Sequence, residues 1–335
     1  MRKINFAPML IIGLSPGLII LTIFLSILYG AKQIDYMVVW DAIFHFDSTN
    51  VDHNIIMTSR LPRVLAALLV GAFLAISGAL MQGMTRNYLA SPSIMGVTDG
   101  SAFVITLCMV FLPNLSSFQM IVFSMVGSAL GAGIVYGFGS LLRNGLSPVR
   151  LAIIGTVIGT FLSSISAAIA SYFQVSQNIS FWYNAKLNQI DPALLKIAIP
   201  FGLMGLILAL LIAKSITILS LGEDISISLG QRTRWVKIIS IFSVVCLTGT
   251  AVALVGKIGF VGLIIPHITR FMVGVDYRWI IPCAGITGAL FLAWSDIISR
   301  FINYPFETPI GVVTALIGVP FFLYLIRTRG GERHA

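Results

Sequence analysis

Four histidines and three cysteines are the residues that could hold a metal, and their spacing argues against it. His45, His53, His267 and His334 form no His-x-x-x-His pair, and Cys108, Cys246 and Cys283 lack Cys-x-x-Cys spacing. Each Cys sits alone in an apolar stretch and reads as core filler. Gly249 to Lys257 has the outline of a phosphate loop, but Ala251 stands where Gly is required and Ile258 where Ser or Thr is required. The chain therefore has no Walker-type ATP site. Two carboxylates fall in apolar surroundings. Asp99 begins a hydrophobic segment, where a carboxylate suits a helix N-terminus. Asp296 precedes Arg300 by four residues, a spacing that permits an ion pair on one helix face. No chain of carboxylates or histidines crosses the apolar segments, which counts against proton or sodium coupling.

The stretch Ser220-Leu-Gly-Glu-Asp-Ile-Ser-Ile-Ser-Leu-Gly230 reads as a short, bounded helix. Ser220 and Glu223 have capping-box spacing, and Gly230 is placed for a left-handed C-cap, with Gly222 inside the segment. Leu221, Ile225 and Leu229 recur every four residues and share a face. So short a helix is marginal alone in water and needs a surface to dock on. That surface is either the membrane or a cytoplasmic partner, and the partner is the sharper reading.

The elements that position these residues are set by an unusual composition. Of 335 residues 57% are apolar and 10% charged, against about 25% charged in a soluble domain. Such a chain could not clothe a soluble globule. It is too hydrophobic for disorder, and three Cys exclude a disulfide scaffold. An all-α, polytopic membrane protein remains. About 20 apolar residues span a bilayer, and ten such segments can be read: 9–29, 62–83, 94–112, 118–141, 150–173, 195–213, 236–255, 258–273, 280–299 and 309–326. The first exceeds a signal-peptide core and is expected to be an uncleaved helix. With both termini inside, 14 of the 21 basic residues face the cytoplasm, as the positive-inside rule favours. The net charge of +9 then marks membrane sidedness, not nucleic-acid binding. Polar segments 30–61 and 174–194 fall outside, the second with Trp182 and Tyr183 suited to an interfacial belt; 214–235 falls inside. Gly127, Gly131, Gly133 and Gly137, with Gly155 and Gly159, give small-xxx-small faces for close helix packing.

Several motifs together resemble a known family. They are Ser59-Arg-Leu-Pro-Arg63, Leu68-Leu-Val-Gly-Ala72, Ser77-Gly-Ala-Leu-Met-Gln82, Thr85-Arg-Asn87, Ala90-Ser-Pro92 and Met95-Gly-Val97. Further on stand Leu221-Gly222 with Leu229-Gly230, Gly259-Phe-Val-Gly-Leu-Ile-Ile-Pro-His267 with Arg270, Asp296 with Arg300, and Pro309 to Phe321. From about residue 55 to 327 the chain resembles the FecCD family, BtuC-like membrane subunits of ATP-driven importers for ferric siderophores, haem and cobalamin. It looks most similar to Gram-positive permeases for catecholate siderophores of the bacillibactin type. Tyr88 departs from the family's usual Pro.

The resemblance implies a single permease domain over residues 1–335, with ten helices and an approximate inverted repeat of helices 2–5 and 7–10. It implies a bacterial cell-membrane location and a second permease subunit, identical or homologous. It also implies two cytoplasmic ATPases that bind ATP and Mg, an extracellular substrate-binding lipoprotein, and no cofactor or catalysis in this chain. The ferric siderophore is the expected cargo, cobalamin or haem the alternatives, and an ion-coupled carrier the rival class. By the same resemblance, residues 220–230 form the coupling helix. Arg60, Arg63 and Arg300 would pair with carboxylates of the binding protein, against a plainer alternative of phospholipid anchoring or an Asp296–Arg300 pair. Asn87 and Leu89 would contribute to the cytoplasmic gate.

Overall fold

A computed structural model describes residues 6–30, 34–112, 114–142, 148–183, 187, 190–304 and 306–330. His334 and some of the basic residues used for sidedness lie outside that set, as do the side chains of Trp182 and Tyr183. Among the described residues the structure is helical, apart from one isolated bridge between Asn303 and Phe306. Ten apolar helices match the ten segments: α1 (Phe6–Leu28), α4 (Leu61–Thr85), α5 (Val97–Phe111), α6 (Ser117–Leu141), α7 (Pro148–Tyr172), α9 (Pro192–Leu221), α11 (Thr233–Val255), α12 (Val261–Val273), α13 (Tyr277–Ser299) and α14 (Ile310–Gly330). Seven spans, the second running from Val51 through α4, are long and apolar enough to cross a membrane; α5, α12 and the apolar part of α14 are shorter. The stretch 30–61 is not merely a loop. It holds α2 (Tyr36–Phe44), α3 (Val51–Ile55) and a π-helical turn (Ile56–Arg60) leading into α4. Asp35 caps α2 by accepting from Met37 N at 3.0 Å, and Asn50 caps α3 through Asp52 N at 2.9 Å. A further short helix, α8 (Ser176–Tyr183), lies between α7 and α9.

Helix lengths repeat. The run α4–α7 has 25, 15, 25 and 25 residues, and α11–α14 has 23, 13, 23 and 21. Each run therefore reads long, short, long, long, and the single long helix α9 between them reverses the second run relative to the first. That is the pattern of an inverted repeat, a common transporter plan. At 1.5 Å per residue α5 and α12 reach only about 20–22 Å, short of a bilayer core near 30 Å. Both start within the bundle. Gly100 of α5 faces Gly127 and Gly131 in the middle of α6, and Gly262 of α12 faces Gly78 of α4.

The core is built on α4 and α11, the most deeply buried spans, while α1 and α7 sit at the rim. Backbone contact makes this packing possible. A Cβ on Gly78 would lie 1.8 Å from the Gly262 carbonyl oxygen, and one on Gly71 would lie 2.2 Å from that of Gly288. Lipid offers no hydrophobic drive between helices, so close approach and dispersion must hold them. In α6 only half of the small-residue stripe serves this purpose. Gly127 and Gly131 pack on α5, whereas Gly133 and Gly137 have nothing within 4 Å.

Candidate functional site

At the end of the bundle that carries α2 and α3, the three arginines converge, but inward. Arg63, in the first turn of α4, holds Asp296 of α13 through Nε at 3.0 and 3.1 Å and Nη2 at 2.8 Å, while its Nη1 donates to Glu307 at 2.7 Å. Arg300 also binds the Asp296 carboxylate and donates to the carbonyls of Ser26 at 2.7 Å and Tyr29 at 2.8 Å. Arg60 donates to the carbonyls of Ile27 and Leu28. Only 9% of the Arg63 side chain and 3% of the Arg300 side chain are exposed, and Arg60 is buried as well.

The guanidinium groups, expected to face a partner's carboxylates, here hold acceptors within the chain itself. The helix spacing that allowed an Asp296–Arg300 pair is realised. The same carboxylate is also the acceptor for a second and distant guanidinium, that of Arg63. Two of the arginines cap the last carbonyls of α1, which has no basic residue of its own in its last turn. Together they clamp α1, α4, α13 and the segment before α14 at one rim.

At the opposite end, α9 continues as far as Leu221, well past the expected end at 213. It turns sharply at Gly222 into α10 (Glu223–Ser228). The expected capping box does not form. Ser220 lies within α9 and its hydroxyl donates to the Thr217 carbonyl at 2.7 Å, while Glu223 accepts from Lys237 Nζ at 2.6 Å. A charge-assisted bond is the stronger of the two options open to that carboxylate. The Lys237 ammonium holds the Glu223 carboxyl below the usual carboxylate range, with Thr233 and Arg86 acting in the same direction. Gly230 takes φ 78°, and the bonds Gly230 N→Ile227 O (2.8 Å) and Gln231 N→Ser226 O (2.9 Å) close a Schellman cap. Ser226 donates back to Ile218 O at 3.1 Å, and Gln231 Nε2 to Ser215 O at 2.9 Å. The short helix is thus fixed at its base to α9 and α11. Leu221, Ile225 and Leu229 are all exposed, and so is Ile227, which the four-residue periodicity missed.

The loop after α4 lies beside this segment. Arg86 ends α4 at φ 52° and shares a small cavity of about 130 Å³ with Glu223 and Lys237. Asn87 Oδ1 accepts from Leu89 N at 3.0 Å, making a tight turn, and the Leu89 side chain is exposed. Tyr88 has a definite place. Its ring carries the Arg270 guanidinium at 4.3 Å and meets His267 edge-on at 6.2 Å. Arg270 also donates to the Tyr277 hydroxyl, and His267 packs edge-on against Phe321 of α14. The loop is therefore tied to α12, α13 and α14.

A cavity of about 710 Å³ opens between the start of α12 and α14, lined mainly by apolar residues such as Phe260, Val312, Leu316 and Val319. Lys257 also lines it, and its Nζ lies 2.6 Å from Asp99 Oδ1 and 2.9 Å from Ser163 Oγ. The sequence reading placed Asp99 at a helix dipole; its pairing with Lys257 across 158 positions had no local signal. Among the described residues no three His, Cys, Asp or Glu side chains converge as a metal site.

Comparisons with known proteins bear on the family and the fold. A model of the FecCD transport family matches residues 18–328. The iron-uptake system permease protein FeuB of Bacillus subtilis (strain 168) is 60% identical over 320 residues, 96% of each chain. The iron(3+)-hydroxamate import system permease protein FhuB of the same bacterium is 53% identical, covering 95% of this chain and 83% of its own length. Among solved structures, a metal-chelate type ABC transporter in an inward-facing conformation superposes with a TM-score of 0.81 at 29% identity, over 96% of this chain and 99% of the other.

Proposed function

The chain belongs to the FecCD transport family, and from that premise we propose that it is the permease subunit of an ATP-binding-cassette importer that carries a ferric siderophore into the cytoplasm. Residues 1–335 act as one multi-pass permease domain with both termini cytoplasmic. The chain needs no cofactor of its own; ATP and Mg belong to two ATPase subunits. A second permease, identical or homologous, completes the pathway, and a substrate-binding lipoprotein delivers the cargo outside.

One observation carries this reading. The helix α10 has a rigid base on α9 and α11, yet its Ile225 and Ile227, with Leu221 and Leu229 flanking it, are left exposed. Such an apolar face suits a cleft in a partner more than it suits water. Its base adjoins Arg86, the residue immediately before the Asn87–Leu89 turn. A displacement of α10 by an ATPase would therefore be felt directly at the gate. Switching requires that the nucleotide states of that ATPase bind α10 with different affinity in its two positions.

The arginine cluster enters this reading as a brace beneath the outer docking surface, not as the docking contacts. Iron is the cargo proposed because FeuB and FhuB are named for iron uptake. The test is uptake of radioactive iron by a strain lacking this gene and rescued with it, supplied in turn with purified ferric siderophores, haem and cobalamin. Rescue by at least one ferric siderophore is expected. Rescue by cobalamin or haem alone would move the cargo to those alternatives.

A further inference from the structure

The ion pair of Asp99 and Lys257 is a deep charge with no part in the coupling or gating described above. Asp99 stands in the first turn of α5 and Lys257 just before α12, so the pair joins the starts of the two short helices. Ser163, on the third element, also donates to the Asp99 carboxylate at 3.1 Å. These positions lie at mid-depth, since α5 begins opposite the middle of α6 and Ser163 sits well inside α7. An ionisable residue at that depth is costly to insert and marks a substrate path by default. Paired short segments at matching places in two repeats point to the same place.

The two charges are not equivalent. Of the residues lining the 710 Å³ cavity, Lys257 alone is charged. Asp99 is not among that lining, and its side chain is 19% exposed against 28% for Lys257. The cation faces the cavity and the anion stands in the wall behind it. Beside Lys257, Phe260 holds a positive φ of 68°, an unusual conformation for an aromatic residue, and its ring packs against Gly318 of α14. A flexible four-carbon stem lets a lysine ammonium turn from one acceptor to another, carrying three donors with it.

We propose that Lys257, parked on Asp99 and Ser163 at the wall of the α12–α14 cavity, is the charge-selecting contact for an anionic ferric chelate, which draws the ammonium away from Asp99 as it passes. The inference rests on the iron-chelate reading above. A tris-catecholate complex of iron(III) is a trianion, whereas a tris-hydroxamate complex is neutral. In an apolar cavity the first gains far more from one exposed cation. Asp99 is a positioning residue: it holds the ammonium in place while the cavity is empty.

The test reconstitutes the complete transporter and measures ATP-driven uptake of a ferric tris-catecholate and a ferric tris-hydroxamate, each presented on a binding protein that accepts it. The readout is the ratio of the two rates, which does not depend on how much protein folds. Lys257→Gln should lower the anionic-to-neutral ratio tenfold or more. Lys257→Arg should hold it near the wild-type value, and Asp99→Asn should raise it, since the cation is no longer shared. An unchanged ratio in both Lys257→Gln and Asp99→Asn would make the pair a structural brace and overturn the proposal. So would a wild-type transporter that moves only the neutral chelate, although the iron-chelate reading would then stand. Uptake of neither chelate would overturn that reading, and this proposal with it.

Discussion

Replacing Asp296 by Asn should reveal whether the outer arginines brace the bundle or await a partner. In the native protein one buried carboxylate serves Arg63 through three contacts of 2.8–3.1 Å and Arg300 through a fourth. Removing one partner of a buried ion pair costs about 3–5 kcal/mol, because the remaining charge stays desolvated. Here neither guanidinium is left bare. Arg63 keeps Glu307 at 2.7 Å, and Arg300 keeps the Ser26 and Tyr29 carbonyls and the Ser26 hydroxyl at 2.9 Å. The expected loss is therefore near the lower end, about 3 kcal/mol. Glu307 is 31% exposed and shares Arg63 with Asp296, so Glu307→Gln should cost about 1 kcal/mol or less. Reversible unfolding in bicelles would measure both, and hydrogen exchange should show faster opening at the α1 terminus in Asp296→Asn. An Asp296→Asn protein within about 0.5 kcal/mol of wild type, or a Glu307→Gln protein equally destabilised, would refute the brace. A second result would refute it as sharply: recovery of Arg63→Glu transport by a binding protein whose docking Glu is changed to Arg. The internal partners predict no such recovery.

Other predictions concern coupling, packing and the gate. Gly230→Val meets no steric obstacle but must adopt φ 78°, at a cost of about 1–2 kcal/mol; membrane insertion should be normal while uptake and transport-stimulated ATPase activity fall together. Gly78→Ala should separate α4 from α12 and lower the melting temperature by an amount equivalent to about 1–3 kcal/mol. Gly133→Ala, with open space around it, should stay within about 0.5 kcal/mol of wild type. The Glu223 carboxyl is held below its unfolded value by Lys237. Its contribution to anchoring α10 is therefore complete above about pH 4.3 and lost as pH falls through the folded value. Hydrogen-exchange protection over residues 223–231, relative to the intrinsic rate at each pH, should fall on acidification in wild type and be low throughout in Glu223→Gln. Bulky replacement of Asn87 should alter transport rate or leak without altering binding-protein affinity, as measured in parallel.

The ten spans were legible because bilayer physics writes them in long apolar runs. The reading 118–141 against Ser117–Leu141 and 62–83 against Leu61–Thr85 shows how little tertiary context such helices need. The sixth span was cut at Lys214, where charge begins. The helix runs on to Leu221, with the Thr217 and Ser220 hydroxyls satisfied on its own carbonyls. The left-handed turn at Gly230 was readable for a local reason, since only backbone geometry is involved. The capping box failed because Glu223 found a cation 14 positions away, a partner that local spacing cannot foretell. The inward partners of the arginines were hidden for the same reason on a larger scale. Arg63 and Asp296 are 233 positions apart, and a motif that marks a surface in a family says nothing of how deeply its side chains are buried. Asp99 and Lys257 were each visible, but not as a pair.

The claim on which all else depends is that movement of the cargo is driven by a partner's ATPase through α10, and purified components can test it. The permease, its ATPases and the binding protein are reconstituted in sealed vesicles, and uptake of ferric siderophore is followed with ATP, with ATP plus vanadate, and with an imposed proton or sodium gradient alone. The account predicts uptake with ATP, its loss with vanadate, persistence in the presence of an ionophore, and none from the gradients. Uptake that follows an ion gradient without ATP would contradict it.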